Sequence, residues 1–352
     1  MCPLVIELKK KSEIECIICL TGQHREMLKQ VMDAFGLHED YNLNIMRENQ
    51  TLTKITTDIL EGMEPIFLQE RPELVLVHGD TTTSFAAALG AFYQQIPVGH
   101  VEAGLRTGDI YSPFPEEMNR LLTDRISTYF FAPTKANGDN LNKEGIKKNV
   151  YVTGNTVIDS FAHTVKKSYV FHEQALNDIE YERTKLVLIT AHRRENWGQP
   201  LERICRAVLR LSDEYRENVR FIYPVHLNPI VRKTVFGILS GRDNILLTDP
   251  IDVLDMHNLL SRCYMVMTDS GGIQEEAPHF GKPVLVLREE TERPEAVAAG
   301  TVKVVGTDEN CIFQAGRALL SDMDEYKKMA MAVNPYGDGH ACQRIVDVIM
   351  KC

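Results

Sequence analysis

Short apolar runs recur along this 352-residue sequence, and most are followed by a helix-like stretch. Strands buried on both faces read as continuous apolar runs. Their alternation with helices is the signature of a parallel sheet covered on both sides. Strands are predicted over 14–20, 74–78, 96–101, 129–132 and 149–153, with helices over about 25–35, 51–69, 82–93, 115–127 and 134–144. A polar, less regular stretch at 166–184 interrupts the pattern. It restarts with strands over 186–191, 219–225, 245–247, 264–267, 284–287 and 301–305, and helices over 200–215, 228–239, 252–261, about 310–320 and 323–332. The predicted fold class is therefore α/β, with two doubly wound domains at 1–165 and 166–335. An amphipathic segment at 341–350 closes the chain within a third piece, 336–352. Pro3–Lys11 reads as a helix, whereas a doubly wound domain is expected to open with a strand.

Composition limits the partners. Hydrophobic residues make up 44% and charged residues 25%, a globular balance. A net charge of −10 argues against a nucleic-acid or anionic-membrane surface as the main partner. No run reaches the ~20 apolar residues of a membrane span, and no signal-peptide pattern is visible. The eight cysteines are scattered; Cys16 and Cys19 have C-x-x-C spacing but lie in a strand-like run, which reads as buried thiols. A reducing, cytoplasmic compartment is expected. No G-x-G-x-x-G follows a strand and no P-loop pattern exists, so no cofactor is predicted. No His, Cys or carboxylate set has metal-ligand spacing, and no metal is predicted.

The chemistry-bearing residues stand at predicted strand ends. The run 74–79 ends at Asp80, and 97–101 ends at Glu102. Pro113-Phe114-Pro115 leads into Glu116 and Glu117 at a helix start. Taken singly, Asp80 could cap the helix at 82–93, and Glu116 or Glu117 could be a helix N-terminal charge. Together they place carboxylates on one sheet edge, an arrangement suited to proton abstraction and donation. In the second half, His192-Arg193-Arg194 follows the strand 186–191 and suits a pyrophosphate. Ser270-Gly271-Gly272 lies in a strand-to-helix turn that lets backbone approach an anion, with Glu276 one helical turn on, placed to accept from sugar hydroxyls. A tight turn with a serine cap is the plainer alternative.

The motifs at 78–83, 99–107, 115–120, 192–196 and 268–278, in that order and spread over essentially the whole chain, resemble the non-hydrolysing bacterial UDP-N-acetylglucosamine 2-epimerases. The resemblance implies two Rossmann-like domains of the GT-B type facing across a cleft, with the last helix crossing back onto the first domain. It implies reversible epimerisation at C2 of UDP-GlcNAc through elimination of UDP and re-addition, for cell-surface polysaccharide synthesis. Asp80, Glu102, Glu116 and His192 would be catalytic. Arg193, Ile251, Met256, Ser270, Gly271, Gly272, Glu276 and Arg293 would hold UDP. Gln23, His24, Arg25 and His226 match the neighbourhood of a second, activating site, while Glu26 and Asn49 depart from the Gln and Arg expected there. The partners implied are UDP-GlcNAc and UDP, in a homodimer. The family also opens with a strand and a basic turn that this sequence does not show. The resemblance thus implies a missing first strand, and poor folding or low activity. Alternatives are a hydrolysing relative releasing ManNAc and UDP, a GT-B glycosyltransferase, and a catalytically weak UDP-sugar binder.

Overall fold

The computed structural model describes residues 1–22, 25–47 and 50–351. The chain divides into two compact units: Met1–His163 with Tyr336–Cys352, and Thr164–Pro335.

The first unit carries a two-stranded parallel sheet of β1 (Cys19–Leu20) and β2 (Tyr41–Asn42). Its larger sheet runs β3 (Val75–His78), β4 (Val98–Val101), β5 (Tyr129–Ala132) and β6 (Val150–Val152), all parallel and adjacent in sequence order. The strand predicted over 14–20 shrinks to β1. Ile14 and Cys16 still pack against an apolar cluster, and Ile18 is buried with Met32 and Leu37. The Ile18 amide, however, donates to the Asp40 carboxylate at 2.8 Å and not to a neighbouring strand. Apolar packing and ladder pairing are separate conditions, and this segment meets mainly the first. Cys16 and Cys19 are free thiols, and burial pushes Cys19 up to about 11, so it is not a reactive thiolate.

Helices Leu52–Glu70 and Thr82–Tyr93 cover one side of this sheet, burying Ile59, Met63, Phe67, Ala86, Ala88 and Ala91 against Val77 and Val98. Small residues along 86–91 let the two helices approach closely. The closing helix Ala341–Ile349 belongs to this unit and shares a core with Leu4 and Leu8 of the opening helix Cys2–Lys9, and with Val101 and Phe131 of the sheet. Asp159 fastens its start, accepting from the amides of Ala341 at 3.2 Å and Cys342 at 2.8 Å.

The second unit holds β7 (Lys185–Thr190), β8 (Val219–Pro224), β9 (Ile245–Thr248), β10 (Met265–Thr268), β11 (Val284–Val286) and β12 (Val302–Val304). Their spatial order is β12-β11-β10-β7-β8-β9, all parallel. The order reverses between β7 and β10, so the loops leaving those two strands flank the crevice where such sheets take ligands. The core beneath is dense: Val187, Ile189, Phe221, Met265 and Met267 pack against Leu201, Ile204 and Leu211. Each fully buried aliphatic side chain contributes roughly 1.5–3 kcal/mol. Among the described residues no helix is long and apolar enough to cross a membrane.

Candidate active site

In the first unit the strand ends converge on carboxylates. Thr81, not Asp80, caps helix Thr82–Tyr93, accepting from the Ser84 amide at 3.2 Å. Asp80 is therefore released from the capping role that the sequence left open. Its carboxylate is instead paired with Arg120 of helix Glu116–Ile126. Asn119 of the same helix donates to the Asp80 carbonyl at 3.0 Å, tying that helix to the end of β3.

Glu102 follows β4 in a left-handed conformation, φ 71°, which costs a non-glycine residue about 1 kcal/mol or more. Its amide is held by the Phe131 carbonyl at 3.0 Å. Asn155 donates to Oε1 at 3.3 Å, and Oε2 lies 3.7 Å from Nε2 of His78. Burial pushes His78 down to about 3, so its ring is neutral beside Glu102. A Cβ on Gly79 would stand 3.2 Å from Oε2 of Glu102, which brings the glycine preceding Asp80 against the second carboxylate. Gly104 closes the turn at φ 84°, where a Cβ would meet the Asn137 carbonyl at 2.2 Å; only glycine fits.

The helix start separates two adjacent glutamates. Glu117 is buried; Oε1 accepts from the amides of Thr107 and Gly108 at 3.0 and 3.1 Å, and Oε2 from Arg120 at 2.8 Å. It pins the loop before the helix. Glu116 is half-buried, and its carboxylate makes no hydrogen bond or ion pair among the described residues. A carboxylate without an internal partner is available to a ligand.

Beneath these turns lies a network that sequence reasoning missed. His100 offers Nδ1 to Asp124 at 2.6 Å and Nε2 to the Gly79 carbonyl at 2.9 Å. Both contacts are acceptors, so both nitrogens carry protons. Burial alone would lower the His100 pKa, but Asp124 outweighs it and the net shift is upward. Arg106 donates to Asp124 at 2.7 Å and to Glu144 at 2.6 and 2.9 Å. The signal was the spacing of His100 and Arg106 about Glu102; their shared partner Asp124 lies on another element.

In the second unit the loops after β7 and β10 are joined by Asp269, whose Oδ2 accepts from the amides of His192 and Arg193 at 2.8 Å each. His192 projects outward and stacks on His226 with ring centroids 5.3 Å apart and planes 9° apart. Burial pushes its imidazole down. His226, read from the sequence with a separate activating site, thus stands beside His192.

Ser270 precedes helix Gly271–Glu276 but makes no side-chain cap bond, so the plain serine-cap reading does not hold. That helix has six residues, and its macrodipole is correspondingly small. Two guanidinium groups supply most of the positive charge: Nη2 of Arg193 and of Arg293 lie 3.8 and 3.7 Å from where a Gly271 Cβ would be. Glu275 pairs with Nε of Arg293 and fixes its fork. Glu276 reaches back over Gly272, with Oε1 3.4 Å from a built Cβ. Burial, then the neighbouring Glu275, pushes Glu276 up to about 7. His257 faces its Oε2 at 3.9 Å, and burial lowers His257 to about 4.

Ile251 and Met256 are half-buried at and beyond the start of helix Val253–Arg262, which Asp252 caps. His172, Asp252 and Asp255 gather within 4.8 Å, but Asp255 is filled by protein donors, the amides of His172 and Glu173 and the hydroxyl of Tyr169, at 2.8–3.0 Å. This cluster clamps the start of the unit onto the helix. Gln23 and His24 lie outside the described residues, as do Asn49 and the side chains of Arg25 and Glu26.

The sequence profile of the family described as UDP-N-acetylglucosamine 2-epimerase matches residues 6–350. The UDP-N-acetylglucosamine 2-epimerase of Bacillus subtilis is 52% identical over 351 residues, 99% of this chain and 91% of that one. The crystal structure of UDP-GlcNAc 2-epimerase from Neisseria meningitidis bound to UDP-GlcNAc aligns with TM-score 0.91 and 48% identity, over 100% of this chain and 96% of that one. The Methanocaldococcus jannaschii UDP-GlcNAc 2-epimerase in complex with UDP-GlcNAc and UDP aligns with TM-score 0.78 and 31% identity, over 100% and 96%. The two-unit α/β fold is that of GT-B type epimerases.

Proposed function

The chain belongs to the UDP-N-acetylglucosamine 2-epimerase family, and from that premise we propose that it interconverts UDP-GlcNAc and UDP-ManNAc without hydrolysis. A carboxylate of the first unit takes the proton from C2 of the sugar. The C1–O bond breaks, its electrons leave with UDP, and a C1–C2 double bond remains in a 2-acetamidoglucal. A carboxylate delivers a proton to the opposite face of C2, and UDP adds back at C1. Atoms and charge balance without an external oxidant or reductant.

The observation that carries this reading is the carboxylate set at the ends of β3 and β4 and at the helix start. Asp80 is paired with Arg120, Glu102 is held in a strained turn, and the Glu116 carboxylate has no internal partner among the described residues. Such groups suit transfer of a proton to and from carbon. The second unit supplies what the elimination needs at the other end. Arg193 and Arg293 flank Gly271 for the diphosphate, His192 faces the same charge, and Glu276 suits the ribose hydroxyls. Ile251 and Met256 offer apolar surface to the uracil. The proposed assembly is a homodimer, as the resemblance implies, and the proposed setting is the cytoplasm.

The test is conversion of UDP-GlcNAc followed by proton NMR of the sugar. This reading expects a steady mixture of UDP-GlcNAc and UDP-ManNAc with no growth of free sugar. Accumulation of free ManNAc with UDP would assign the hydrolysing reaction instead.

A further inference from the structure

Asp269 is fully buried, yet its two oxygens are treated differently. Oδ2 accepts three N–H groups: the amides of His192 and Arg193, and Nδ2 of Asn196 at 2.9 Å. Oδ1 is also buried and accepts no hydrogen bond among the described residues. It faces Nδ1 of His192 at 3.9 Å. A buried carboxylate oxygen without a donor is costly, and a catalytic role is one of the explanations such an atom calls for. His192 is the donor within reach. Its side chain is 44% exposed and has room to swing, while its backbone is fixed by the same carboxylate. A movement of about 1 Å closes the gap to hydrogen-bond length.

We propose that Asp269 is a positioning residue that draws His192 into the imidazolium form when a diphosphate occupies the site, with Nδ1–H on Asp269 Oδ1 and Nε2–H on the ligand. The inference rests on the reading of His192 as the partner of the leaving diphosphate. Counting donors leads to it. A neutral His192 that gives its proton to Asp269 presents a lone pair to an anion. A neutral His192 that gives its proton to the ligand leaves Oδ1 unmet. The cation satisfies both.

The groups facing His192 are Asp269, His226 and Arg193. In the free site burial pushes the imidazole down; Asp269 opposes this, while His226 and Arg193 add to it. A diphosphate reverses the balance. The proton stays on nitrogen throughout, and a fixed positive charge meets the negative charge that develops on the leaving group.

The experiment is calorimetric titration of the full chain with UDP at pH ~7.5, in two buffers of different ionisation enthalpy. UDP is ionised there, because the second phosphate pKa is ≈ 6. The wild type is expected to take up a proton on binding. Asp269→Asn keeps an acceptor for the three N–H groups but turns an NH₂ toward Nδ1 of His192. It is expected to lose the uptake and about tenfold in affinity. Uptake by Asp269→Asn equal to the wild type would overturn the inference. His192→Gln separates the premise: wild-type uptake and affinity in that variant would remove the reading of His192 itself. Nitrogen-15 spectra of imidazole-labelled, unmutated protein give a second readout should Asp269→Asn not fold. Both ring nitrogens of His192 are expected to be protonated in the UDP complex, and a neutral ring would overturn the proposal.

Discussion

Nδ1 of His100 lies 2.6 Å from Oδ1 of Asp124, with both side chains fully buried. The pair joins the end of β4 to the last turn of helix Glu116–Ile126. Through Nε2 it also reaches the Gly79 carbonyl at 2.9 Å, beside Asp80. One buried cation thus sets the relative height of the turns carrying Asp80 and Glu102. Removing Asp124 leaves the buried imidazolium of His100 without its carboxylate and takes one partner from Arg106. Asp124→Asn is expected to cost roughly 3–5 kcal/mol, read as a lower denaturant midpoint.

The same pair has a pH signature. The folded-state pKa of His100 is raised, so its contribution is fully present below its unfolded value of ≈ 6.5 and is lost as pH rises through the folded value. Melting temperature should fall over that alkaline window in the wild type, and more weakly in His100→Gln.

Glu116 and Glu117 are adjacent in sequence but about 100° apart around the helix. Glu117→Gln weakens the salt bridge to Arg120 and the hold on the 107–108 loop, and should lower the melting temperature. Glu116→Gln touches no internal partner. It should leave melting and UDP affinity nearly unchanged while cutting turnover by about 100-fold or more. A Glu116→Gln enzyme with full turnover would remove it from the proton-transfer set.

Glu276 is raised to about 7, well above its unfolded value near 4.3. The folded state therefore binds the proton more tightly, and stability falls as pH rises between those values. Glu276→Gln should stabilise the free protein at pH ~8 by on the order of 1–3 kcal/mol, while weakening UDP binding. Loss of both stability and affinity would contradict this reading of the carboxylate.

At Gly271 a methyl group meets only guanidinium atoms, at 3.7 and 3.8 Å. Gly271→Ala should keep or slightly raise the melting temperature, since alanine is the better helix former by about 1 kcal/mol. It should fill the space for a phosphate, and UDP affinity measured by calorimetry should drop about tenfold or more.

Most of the fold was legible because parallel strands buried on both faces leave continuous apolar runs, as at Val75–His78 and Met265–Thr268. The same apolar pattern makes the strand expected over 14–20 longer than β1: its side chains are apolar, but its amides find few strand partners. Carboxylates at strand and helix ends (Asp80, Glu102, and Glu116 or Glu117) could be read from the sequence as a group. Which of Glu116 and Glu117 faces inward depends on Arg120 and the 107–108 amides, contacts no local pattern encodes. Asp269 looked like part of a turn motif, and its hold on His192 spans 77 positions of sequence. Long-range polar pairing of this kind is settled by the tertiary structure.

The central claim is that carboxylates of the first unit move a proton at C2 while the second unit keeps hold of UDP. Turnover of UDP-GlcNAc in heavy water, followed by NMR of the sugar, tests it most directly. The account predicts deuterium at C2 of UDP-ManNAc and of recovered UDP-GlcNAc for the wild type, and none for Asp80→Asn, which should still bind UDP. UDP-ManNAc formed with its original C2 hydrogen, or undiminished exchange in Asp80→Asn, would contradict it.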